Sequence, residues 1–142
     1  MSINEKRINF EGWFSLSMPE LWEYEVNEDV LDIYDNVNGK GALQISFFKR
    51  KEIGESLRET AENHINRFIR QFNIEVAKNT YKVIETPEFT IANACGQDES
   101  DFIKLWTVVN EQKMLLITYT SPSKTRELSV AEDIVYSIEF DD

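Results

Sequence analysis

The stretch that decides the fold is FSLSMPELWEYEVNEDVLDIYD, residues 14–35. Phe14, Leu16 and Met18 alternate with Ser15 and Ser17, which is the period-two pattern of a strand with one buried side. Pro19 interrupts it, because proline has no N–H for a sheet ladder and biases its predecessor towards an extended backbone. The alternation then restarts as Trp22, Tyr24 and Val26, with Glu23 and Glu25 between, and again as Leu31 and Ile33. The spacing predicts a strand over 14–18, a bend at PEL, a strand over 22–27 and a third over 30–35.

Working outward, NVNGKG (36–41) carries an Asn-Gly pair, expected to supply the positive φ of a hairpin turn. ALQISFFKR (42–50) returns as a strand with Leu43, Ile45 and Phe47 on one face. The period changes at SLRE (56–59), a Ser-x-x-Glu capping box followed by Leu57, Ala61, Ile65, Phe68 and Phe72 at helical spacing. This helix is expected to end near Phe72-Asn73. Strand patterns resume over 81–85, 88–96, 101–110 and 113–120, the last two joined by the polar turn NEQK. Both are apolar on both faces, as expected of central strands covered on each side. A closing helix carries Leu128, Ala131, Ile134, Val135 and Ile138, its cap lying at SPS (121–123) or at Ser129. Strands, helix, strands, helix predict an α+β fold: one antiparallel β-sheet flanked by helices on both faces.

The 142 residues fit one domain spanning 1–142. A chain of this size buries roughly two thirds of its unfolded surface, enough for a core without staples. Cys95 is the only cysteine, which excludes an internal disulfide and a thiolate zinc cluster. With no leader-like or membrane-spanning run in MSINEKRINFEGWF or beyond, the expectation is a soluble, cytoplasmic protein. The net charge of −11 disfavours a nucleic-acid partner, whose phosphates need cationic neutralisation. The charge is uneven. Residues 49–82 hold eight basic and five acidic residues, whereas 1–48 hold three and nine, and 83–142 hold four and twelve.

FSLSMPELWEYE, GALQISFFKR and KMLLITYTSPSKTRELSVAEDIVYSIEF, in that order, resemble the PsbP-like superfamily. That group includes DcrB-like bacterial proteins, Eag-type adaptor chaperones of type VI secretion and the Ran-binding nuclear-transport factor. The resemblance implies an α/β/α sandwich around an antiparallel sheet and, because the group's members bind different things and are mostly not enzymes, little about activity. Some members are secreted. MSINEKRINFEGWF shows neither a signal-peptide pattern nor a lipoprotein cysteine, so a role outside the cell envelope is the expectation.

Candidate chemistry is sparse. His64, the only histidine, sits at the edge of the first helix's apolar stripe; Cys95 precedes a glycine and the acidic DES-D (98–101). A Cys95–His64 dyad is the enzymatic alternative; a boundary histidine and a small core cysteine are the simpler expectation. The acidic clusters 98–101 and EFDD (139–142), and DIYDNVNGKG, lack the ligand spacing of a calcium loop and read as solvated charge. GKG is a turn rather than a phosphate loop, and no cofactor motif is present. The binding candidates are Trp13, Trp22 and Trp106, as aromatic anchors if exposed, with Arg58, Arg67 and Arg70 beside KRKE (49–52) as a basic patch. The expected function is a non-catalytic protein-binding module, a secretion adaptor chaperone or an immunity protein. It would engage another protein through the open sheet or a helix-flanking groove. No metal, no cofactor and no membrane insertion are expected. Edge strands could also pair two copies into a homodimer.

Overall fold

At Pro19 the chain passes from one sheet to another. The computed structural model describes residues 4–51 and 54–141. Strands β1 (Glu5–Phe10) and β2 (Phe14–Pro19) pair antiparallel, and the two-residue β11 (Glu139–Phe140) adds to the free side of β2. The Trp22 amide donates to the Pro19 carbonyl at 3.0 Å, closing the bend. Beyond it runs a larger antiparallel sheet: β3 (Glu23–Asn27), β4 (Val30–Tyr34), β5 (Ala42–Lys49), β10 (Lys113–Ser121), β9 (Asp101–Val109), β8 (Thr90–Asp98) and β6 (Glu75–Val76), in that order. β7 (Lys82–Glu85) also pairs with β8. Helix α1 (Leu57–Gln71) lies on one face and α2 (Glu127–Tyr136) on the other side of the sheet, so the expected α+β sandwich is the observed architecture.

The alternating runs do not, however, make one pleated layer. β2 joins the small sheet, and its Phe14, Leu16 and Met18 pack with α2 against Leu31, Ile33, Ile45, Trp106 and Ile117 of the large one. β1 was not legible, because EKRINF alternates half-buried Lys6, Ile8 and Phe10 with fully polar neighbours. The opposite core is smaller: Ala61 and Ile65 of α1 pack on Ala92, Ala94, Ile103, Leu105 and Val109. Thr107 Oγ1 donates to the Ala61 carbonyl at 2.8 Å and fastens the helix to β9.

The caps follow from the sequence only in part. Ser56 is the N-cap of α1 and accepts from the Glu59 amide at 3.1 Å. Its end is at Phe72, where Asn73 takes the left-handed φ of 50° that stops the helix. α2 starts at neither expected cap: the N-cap residue is Arg126, and Thr125 Oγ1 accepts from the Glu127 amide at 3.2 Å. The 36–41 turn forms the expected β4–β5 hairpin, but not through positive φ, which occurs at neither of its glycines. Gly39 and Gly41 are required for close approach instead. A Cβ at the first would strike the Asp35 carbonyl, and at the second the Thr120 carbonyl.

Candidate functional site

Helix α1 packs on β8, β9 and the β7 edge. An α-helix with side chains is about 10–12 Å wide and strands are about 4.8 Å apart, so one helix covers little more than two strands. The same face of β10, β5, β4 and β3 has no helix among the described residues. Cross-strand register identifies that face: Phe48 pairs with Met114, Ser46 with Leu116, and Gln44 with Thr118. Phe48 is 42% exposed, and Leu116 and Thr118 are half-buried.

Where this open face meets α1 there is a groove of about 320 Å³. Its floor and wall are Phe48, Met114, Leu116 and Phe68, and its rim carries Lys51, Arg67, His64 and Gln71; Lys49 borders it at the end of β5 but alternates with Phe48, on the face it shares with Lys113 and Trp13. Phe68 stacks against the exposed Phe72, ring centroids 4.5 Å apart, which extends the apolar wall past the helix end. His64, Arg67, Phe68 and Gln71 fall at i, i+3, i+4 and i+7, a second stripe beside the core stripe of the same helix. That periodicity was the available signal. The floor residues Phe48 and Leu116 had none, since nothing in a strand's sequence tells which face will lack a helix.

The remaining sequence candidates scatter. Trp106 is fully buried, Trp22 is 7% exposed, and Trp13 is half-buried against Phe47 at 4.9 Å, so the three tryptophans are core anchors rather than a joint surface. Arg58 points away from the groove and pairs with Glu62 at 3.6 Å and Glu85 at 4.0 Å. Arg67 lines the groove; Arg70 lies one turn on, exposed, in the last turn of α1. Within KRKE, Arg50 is structural: its guanidinium donates to the Glu55 carbonyl at 2.6 Å and to Thr60 Oγ1 at 3.0 Å, tying the loop to the helix. Glu52 lies outside the described residues.

The Cys95–His64 dyad does not assemble. His64 lines the α1 groove, whereas Cys95 alternates with Ala94, which packs under α1, and so points to the α2 side of the sheet beside its register partner Lys104. Burial pushes the Cys95 thiol up, with Glu132 adding to it and Lys104, Lys124 and Lys82 opposing. Among the described residues no group of three or more His, Cys, Asp or Glu is placed to hold a metal ion. The EFDD tail is not simply solvated: Phe140 is a strand residue, Asp141 Oδ2 accepts from the Gly12 amide at 2.9 Å, and buried Lys113 donates to the Asp141 carbonyl at 2.6 Å.

A second cavity, about 450 Å³, opens on the α2 side between Pro19, Trp22 and Val130. Leu21 and Val37, 79% and 73% exposed, flank it, and Glu20 and Asp35 are its charged lining residues.

The fold is PsbP-like. A solved structure from Bacteroides thetaiotaomicron matches with a TM-score of 0.62 and 18% identity, over 92% of this chain and 46% of that one. The Ran-binding protein Mog1p of Saccharomyces cerevisiae matches with a TM-score of 0.64 and 9% identity, over 97% and 96% of the two chains. A point mutant of Mog1 gives 0.65, also at 9% identity. No protein-family profile and no curated protein matches the sequence. At these identities the likeness shows the fold alone.

The cytoplasmic expectation is corrected here. It rested on the first residues of a chain that spans about half the length of the Bacteroides protein it matches. The fold is one that secreted, DcrB-like proteins also adopt, so a cytoplasmic assignment conflicts with the structural likeness. Where such a segment begins carries no information about export. Among the described residues no helix is long and apolar enough to cross a membrane.

Proposed function

We propose that this chain is a non-catalytic protein-binding domain that engages its partner through the groove between α1 and the uncovered half of the large sheet. The observation that carries the reading is the combination at one place of exposed Phe48, half-buried Leu116 and Phe68, and the charged residues Lys51 and Arg67 at the rim. Apolar floors with charged rims are how interfaces combine affinity with specificity. The fold accommodates such a role, since one solved relative at full coverage is itself a Ran-binding protein. Of the two versions, an adaptor chaperone fits the apolar floor. An immunity protein would use the acidic strip formed by Glu23, Glu25 and Asp32 at the far edge of the same face.

The test is a photo-crosslinking amino acid placed at Phe48, at Leu116 and, as a control on the small sheet, at Lys6, in the native host. Adducts from the two groove positions that vanish in an Arg67→Glu background support the reading. Adducts from Lys6 with none from Phe48 or Leu116 would refute it.

A further inference from the structure

The side of the large sheet away from the α1 groove carries a second, independent site. We propose that the cavity between the C-terminal end of α2, β11 and the turn that precedes β8 binds a small quaternary ammonium compound bearing a hydroxyl, held by two phenylalanine rings and one carboxylate.

The cavity measures about 600 Å³, a size that suits a small molecule. Buried Ile138 and half-buried Phe89 and Phe140 line its interior, and Tyr136 and Glu88, both exposed, stand at its mouth. The two phenylalanine rings have centroids 6.3 Å apart and planes inclined at 70°. Every other ring pair among the described residues is closer, at 4.5 to 5.9 Å, so this is the aromatic corner that packing leaves open. Its walls are fixed in advance. Thr86 Oγ1 donates to the Phe89 carbonyl at 2.9 Å and accepts from the Phe89 amide at 3.1 Å. On the other wall, the Asp141 amide donates to the Trp13 carbonyl at 2.9 Å, which holds β11 and with it Phe140.

Charge and hydrogen-bonding groups narrow the ligand. Two acidic residues border the cavity, Glu88 and Glu139, and no basic one does among the described residues. Glu139 alternates with Phe140 and so turns to the outer face of the small sheet, where it pairs with Arg7 at 3.5 Å. Glu88 forms no ion pair or hydrogen bond among the described residues. A cation between the rings and this carboxylate is attracted by both. The form of the cation follows from the acceptors. Asn110 also lines the cavity, but its Oδ1 already accepts from the Gln112 and Lys113 amides at 2.9 and 2.7 Å. A primary ammonium or a guanidinium would leave N–H groups buried against ring carbon, whereas a fully methylated nitrogen has none to satisfy. With its oxygen engaged, Asn110 has only its NH2 left to offer, and a ligand hydroxyl supplies the acceptor for it.

The experiment titrates the full, nitrogen-15-labelled chain at constant ionic strength and follows its amide signals by NMR. Three probes are compared: choline, its uncharged isostere 3,3-dimethylbutan-1-ol, and ethanolamine, which has the charge without the methyl groups. Choline is expected to shift the Glu88, Phe89 and Phe140 amides saturably and to bind at least tenfold more tightly than either of the others. Glu88→Gln, a change on an exposed side chain that leaves folding undisturbed, should weaken choline at least threefold. Phe89→Leu, which keeps apolar bulk and removes a ring face, should do the same, and Arg67→Glu in the α1 groove should change nothing. Vesicles of phosphatidylcholine separate the two sources of such a group. Vesicles that sediment the protein and release it to free choline assign the lipid head group, and vesicles that leave it in solution assign the free compound. The absence of saturable shifts at those amides would overturn the proposal. So would equal binding of the uncharged alcohol, equal binding of ethanolamine, or choline binding indifferent to Glu88→Gln.

Discussion

Glu127 is the residue whose removal best tests how the hairpin and α2 are joined. Its Oε1 accepts from the Gly41 amide and from Tyr119 Oη, both at 2.9 Å, and its Oε2 accepts from the Lys40 amide at 3.0 Å. One carboxylate at the start of α2 thus holds the β4–β5 turn and a tyrosine with no exposed surface. In Glu127→Ala the exposed Lys40 amide regains water at little cost. The Gly41 amide is half-buried and Tyr119 is fully buried, and each loses a charge-assisted acceptor, at about 1–2 kcal/mol apiece. The expected loss is about 2–4 kcal/mol. At about 2 cal/mol/K per residue, the unfolding entropy of the chain makes that a fall in Tm of about 7–13 °C. Glu127→Gln can keep its carbonyl oxygen on Gly41 and Tyr119, with its NH2 in the place of Oε2 and the exposed Lys40 amide turned to water, so it should cost less than alanine. Urea unfolding and thermal melts measure both variants, and the Gly41 amide should exchange with deuterium faster in the alanine variant. An alanine variant within about 0.5 kcal/mol of the parent would refute the reasoning, as would a glutamine variant no better than alanine.

Two further outcomes concern titration. The Tyr81 hydroxyl is pushed up to about 12, first by burial and then by Glu62, to which it donates at 3.3 Å. Below the ordinary tyrosine value near 10 the ring is neutral in both folded and unfolded chains. From there upward the unfolded chain ionises first, so stability should fall as pH rises from about 10 towards 12. Tyr119, also raised chiefly by burial, acts in the same direction. Tyr81→Phe should shallow that decline in urea titrations, and an unchanged slope would count against it. Cys95, whose thiol is also raised, should react with a disulfide reagent at pH 8 at least tenfold more slowly in the native protein than in urea, and equal rates would show the site to be open and activated.

Much of the fold was legible because period and punctuation agree. The alternations at 14–18, 30–35 and 42–50, the Ser56–Glu59 box and the stripe from Leu57 to Phe72 each dictate local structure, whatever lies around them. Short strands that owe their existence to a neighbour were not legible. β1 is polar on alternate residues, and β6 and β11 are two residues each, held by pairing to β8 and β2. The candidate site divides in the same way. The basic concentration around 49–70 and the marginal position of His64 could be read directly, but the tryptophans' burial could not, because an aromatic at strand spacing suits a core and a surface equally well.

The sequence by itself determined the longer elements, the N-cap of α1 and the sign of charge along the chain, since these depend on contacts within a few residues. Only the tertiary structure decided that Pro19 separates two sheets, that His64 and Cys95 face opposite sides, and that one helix leaves half of a wide sheet uncovered. Which strands become neighbours, and therefore which face each side chain shares, is set by pairing across long separations. No local pattern encodes that choice.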